Sequence, residues 1–143
     1  MRRLLPLALA GTWGCAAAFA PARPPWPPFP NGQFMHVGEF LQVSGVGQPK
    51  KATLTQTQAR SEARDAAILD AWTRLKGYIG SLPLPDGSHV SDAEQADPAL
   101  AKSVETLVYS ATIVSTQWAD PQAAVVVRLR KSSINRLLGT DFK

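Results

Sequence analysis

The chain has 143 residues, of which 45% are hydrophobic and 18% charged, with a formal net charge of +4. That composition excludes wholesale disorder, and the length excludes more than one domain, since a leader and a proline tract leave only about 100 residues for a core. Arg2 and Arg3 fall in the leader, so the charge left after subtracting them, about +2, is too mild to imply nucleic acid, and a single cysteine excludes an internal disulfide.

Met1-Arg2-Arg3 is a short cationic start, and the apolar stretch after it falls short of the roughly 20 residues that a helix needs to cross a bilayer. It reads as an export signal. Two cleavage sites compete. Ala18-Phe19-Ala20 has the small-x-small form, but Pro21 follows it and restricts the backbone where a protease needs an extended chain. Thr12-Trp13-Gly14-Cys15 has the glycine-cysteine pair of a lipoprotein cut, with Trp13 departing from the usual small residue. On the lipoprotein reading residues 1–14 are the signal, Cys15 carries acyl chains as the lipid anchor, and the mature chain is held at a membrane. On the other reading the protein is soluble in the periplasm or secreted.

Pro21 to Pro30 holds six prolines in ten positions, a run that can form neither helix nor central strand. It is expected to be polyproline II, a spacer of roughly 30 Å, within a tether over residues 15–37 that holds a domain of residues 38–143 off the membrane. Trp26 and Phe29 read as incidental aromatics of that tether, with docking on the domain's own surface or in a partner's aromatic groove as the alternatives.

From Phe40 the residues alternate, Leu41, Val43 and Gly45 on one side, which predicts a strand ending in a turn at Gly45-Val46-Gly47. The two glycines do not make a phosphate loop, because Lys50 stands where the third glycine is needed. Thr55 and Gln58 have capping-box spacing, and apolar residues recur at helical steps from Ala59 to Ile79, predicting a long helix to Gly80. Its first half is lined with alanine, which lets the axis lie close to whatever it covers. Ser81 to Pro98 reads as a loop, Ala99 to Val108 as a second helix, Tyr109 to Arg130 as a β-hairpin turning at Asp120-Pro121, and Lys131 to Leu138 as a closing helix stopped by Gly139.

The expected fold is α+β, a small β-α-α-β-β-α domain with a three-stranded antiparallel sheet covered by one long helix. Val125, Val127 and Leu129 would face that helix, leaving Phe40, Val114, Trp118 and Val126 on the other side. A sheet apolar on both sides needs a second cover, which predicts a homo-oligomer. The cations Arg128, Arg130, Lys131, Arg136 and Lys143 read as a solvated basic end.

Neither His36 nor His89 has a second histidine or cysteine at ligand spacing, so no metal site, cofactor site or catalytic residue is assigned. Asp70 and Arg74 form an ordinary i,i+4 pair. Trp72, Tyr109 and Trp118 could supply rings to a small-ligand pocket, though core packing explains them more simply.

Between Val43 and Gly139 the strand VSGVG, the helix ARSEARDAAILDAWTRLKGYIG, the loop DGSHVSD and the hairpin around YSATIVSTQW resemble the Lpp-twenty family of small bacterial lipoproteins, which includes flagellar members. The resemblance implies a dodecin-like β-α-β-β arrangement, acylation of Cys15, and an outer-membrane lipoprotein facing the periplasm or the surface. It implies a non-enzymatic scaffold or assembly role among flagellar or envelope proteins. A dodecin-like ligand-binding module is the alternative.

Overall fold

The computed structural model describes residues 22–28, 34–50 and 55–143. Its elements in chain order are β1 (Phe34–Val37), β2 (Phe40–Gly47), α1 (Gln56–Gly80), α2 (Val90–Ala96), α3 (Pro98–Tyr109), β3 (Thr112–Ala119), β4 (Gln122–Arg130) and α4 (Lys131–Leu138). The fold is α+β with an antiparallel sheet, as expected. The sheet has four strands rather than three, in the order β1-β2-β4-β3, and four helices rather than one long helix with two short ones.

The long helix starts where the capping box places it. The Thr55 side chain accepts from the Gln58 amide, and the Gln58 side chain accepts from the Thr55 amide at 3.1 Å. Ala63, Ala67, Ala71, Leu75 and Ile79 are all fully buried against the sheet. Opposite the three alanines lie Gly45 and Gly47, which are strand residues and not the predicted turn. A β-carbon on Gly45 would overlap the Ala67 carbonyl and sit 2.8 Å from the Ala71 methyl. One on Gly47 would overlap the Ala63 carbonyl and the Ala67 amide. Two glycines against three alanines let the helix rest on bare strand backbone, and larger pairs resume toward Leu41 and Leu75. Asp70 ties the layers together: its carboxylate accepts the Val46 amide at 2.9 Å, past the end of β1, and pairs with Arg74 at 2.9 Å.

Leu41, Val43, Val125, Val127 and Leu129 face the helices and are buried, as the alternation predicts. Three other expectations change. Phe34–Val37 form a strand paired with β2, so the folded unit begins before residue 38. The predicted loop from Ser81 to Pro98 contains α2, whose Val90 is fully buried. A bulge between Ile113 and Ser115 reverses the facing of the rest of β3, so Trp118 pairs with Ala123 on the helix side. There the Arg60 guanidinium lies 5.8 Å from the Trp118 ring and grips Asp120 with two hydrogen bonds, 3.0 and 2.7 Å. That bond holds the Asp120 carboxyl below its ordinary range.

Gly47→Ala should therefore cost about 3 kcal/mol, the upper range for overpacking, because the neighbouring atoms are helix backbone. Gly77→Ala, on the exposed side of α1 where an added β-carbon meets nothing, should stabilise by about 0.5–1 kcal/mol. Denaturant unfolding of the two variants measures the contrast, and equal effects would contradict the close contact.

Candidate functional site

All four helices belong to one hydrophobic core with the inner side of the sheet. The opposite side stays open. The register places Met35 and Val37 of β1, Phe40, Gln42, Ser44 and Val46 of β2, Ala124, Val126, Arg128 and Arg130 of β4, and Thr112, Ser115 and Gln117 of β3 on this outer side. None of them is buried, and Met35, Val37 and Val46 are 58%, 44% and 42% exposed.

Two arginines stand on this face two residues apart, one pleat repeat, flanking the same ring. The Arg128 and Arg130 guanidiniums lie 4.7 and 5.6 Å from the centre of Phe40. Neither takes part in an ion pair among the described residues. Together with Thr112, Ser110 and Ser133 they line a shallow groove of about 240 Å³. No aspartate or glutamate lies on the described outer strands' open side. The basic end noted in the sequence is thus partly a patch on one face, shared with exposed apolar side chains.

The described part of the proline tract is docked on the domain. Trp26 is 8% exposed, 5.0 Å from the Phe142 ring and 6.2 Å from His36, with the Lys131 ammonium 6.0 Å from its centre. The Tyr78 hydroxyl donates to the Pro27 carbonyl at 2.9 Å, and the Lys143 amide donates to the Pro24 carbonyl at 3.0 Å. Arg23 pairs with Asp141 at 2.9 Å. Prolines cannot donate backbone hydrogen bonds, but their carbonyls accept, and both polar ties use them that way. Residues 23–28 are therefore not the free spacer the composition suggested. Burial pushes the Tyr78 phenol up to about 12, which keeps it a donor throughout the physiological range. Loss of water, and then the nearby Lys131 charge, lower the His36 pKa from its ordinary value.

The remaining sequence candidates do not converge. The Trp72 and Tyr109 rings meet at 4.9 Å with their planes tilted, but Trp118 lies beside Arg60, roughly 18 Å away along α1 from Trp72. The buried Trp72 indole nitrogen has no hydrogen-bond partner among the described residues. His89 precedes α2, its ring nitrogen 3.7 Å from Asp92, on the rim of an open groove of about 530 Å³ that Lys76, Ser81 and Glu94 also line. No group of three or more metal-ligating side chains occurs among the described residues. Cys15, the predicted anchor, lies outside the described residues, as do the signal segment and Phe29. Sequence reading missed Tyr78 as a clasp and the two arginines around Phe40. The i,i+2 spacing of Arg128 and Arg130 on a strand was the available signal.

No helix among the described residues is long and apolar enough to cross a membrane. Comparison with family models, with curated proteins and with solved structures returned no match.

Because His36 binds its proton less readily in the folded state than when unfolded, stability present above about pH 6.5 should fall as the pH drops through the ordinary histidine range. The thermal midpoint should decrease between about pH 7 and pH 5, and His36→Gln should flatten that slope. An unchanged slope would contradict the placement of His36 beside Trp26 and near the Lys131 charge.

Proposed function

We propose that this chain is a non-enzymatic cell-envelope lipoprotein of the Lpp-twenty type, anchored through an acylated Cys15 and acting as a scaffold or assembly component on the periplasmic side of an outer membrane. The leader supports the anchor: a cationic start, a short apolar run, then Gly14-Cys15. An anchor at Cys15 would stay near the docked arm, since Ala22 follows it by seven positions, a span of at most about 25 Å.

The observation behind the scaffold role is the β3 edge. Thr112–Ala119 has eight residues without a charge or a proline, and it pairs only with β4 among the described residues. Such an edge presents unpaired backbone donors and acceptors to another strand. Pairing of β3 with β3 of a second copy would extend the sheet and give the homo-oligomer through backbone bonds. The dodecin-like ligand module gains less support, because Trp118, beside Arg60, lies apart from the Trp72–Tyr109 pair.

Two readouts test this. Fatty-acid labelling in a bacterial host should mark the wild-type chain and leave Cys15→Ser unmarked; label that is absent or independent of Cys15 would remove the anchor. Analytical ultracentrifugation of the full-length Cys15→Ser chain should show reversible self-association that Val114→Lys, on the bulge of the β3 edge, abolishes. A monomer at high concentration would remove edge pairing.

A further inference from the structure

We propose that the open face of the sheet is a docking surface for anionic phospholipid, with Arg128 and Arg130 on lipid phosphates and Met35, Val37 and Phe40 at the boundary of the acyl region. The choice of occupant rests on the membrane-anchored reading. Three observations on the molecule favour it over other occupants.

The first is charge. Two guanidiniums without an acidic partner share a face that has no carboxylate on its described strands. The acid next to Phe40, Glu39, sits in the β1–β2 turn, where its carbonyl takes the Lys131 amide at 2.9 Å. Guanidinium pairs suit phosphate oxygens, and each basic side chain near an anionic surface adds an attraction that salt screens.

The second is the apolar company. Met35 and Val37 are more than two-fifths exposed, and Phe40 sits between the arginines. Cationic heads above exposed apolar side chains match an interface that is phosphate outside and hydrocarbon inside. A second copy laid on the same face would bring four arginines together with no acid between them. Like-charge opposition makes that occupant unfavourable.

The third is where the arm ends. Trp26 is held by Lys131 and His36, and Lys131 donates to the Gly38 carbonyl at 2.8 Å in the turn between Val37 and Phe40. The described arm therefore lies at the end of the sheet that carries Phe40 and Arg130, with Arg23 and Pro24 tied to Asp141 and Lys143. Seven residue steps, at most about 25 Å of chain, join Cys15 to Ala22, so an acylated Cys15 would keep this end near the bilayer.

The test uses the full chain carrying Cys15→Ser, so that acylation plays no part, and every variant shares the same leader. It is sedimented with vesicles of phosphatidylcholine alone or with about 30 mol% phosphatidylglycerol, at low and high salt. The expected result is binding to the anionic vesicles that is roughly 30-fold weaker for Arg128→Gln/Arg130→Gln and lost at high salt. Val37→Glu, an exposed position, should weaken it as well, and matched thermal midpoints confirm that both variants fold. Equal binding by the arginine variant, or equal binding to neutral vesicles, would overturn the proposal. Loss of fatty-acid label with vesicle binding intact would remove the anchor and leave this surface standing; label without vesicle binding would do the reverse.

Discussion

The structure depends on the contact between a helix and a strand that both lack side-chain bulk where they meet. Ala63, Ala67 and Ala71 of α1 cross Gly45 and Gly47 of β2 so closely that a β-carbon on either glycine would enter helix backbone. Dispersion between tightly apposed backbones takes the place of interdigitated side chains there. The opposite end of α1 carries Leu75, Tyr78 and Ile79. The close approach is at the alanine end, where the Asp70 carboxylate accepts the Val46 amide.

That contact makes the molecule one-sided. The helices share one core with the inner face of the sheet, so the outer face and the β3 edge are left for other uses. The N-terminal arm closes the bulky end, where Trp26 fills the space between Phe142 and β1 and Tyr78 holds the Pro27 carbonyl. The arm and the open sheet face are the two features on which the proposed membrane-side role rests.

Local signals were legible where the physics is local. The Thr55–Gln58 box, the alanine stripe, the alternation in β4 and the Gly139 stop, which adopts φ 64°, all sit where the residue pattern puts them. What was hidden depends on partners distant in the chain. Phe34–Val37 is too short to show a period, and it is a strand only because β2 offers an edge. The Val114 bulge reverses Trp118 without any glycine to announce it. Gly45 and Gly47 looked like a turn because glycine usually marks one, and only the helix above them explains why side chains are excluded. Trp26 looked incidental within a proline run, since nothing in that run names Phe142, more than a hundred residues away, as its neighbour. The open face was half legible: the sequence showed apolar residues on both sides of the sheet but not the arginines gathered around Phe40.

Native-state amide hydrogen exchange tests the central contact most directly. If α1 and β2 form one cooperative unit with the sheet centre, the Val46 amide and those from Ala67 to Ala71 should exchange as slowly as Val125 and Val127, through global unfolding alone. Exchange of Val46 and the alanine segment through a low-energy local opening, while β4 stays protected, would show that the helix is not seated on the strand backbone.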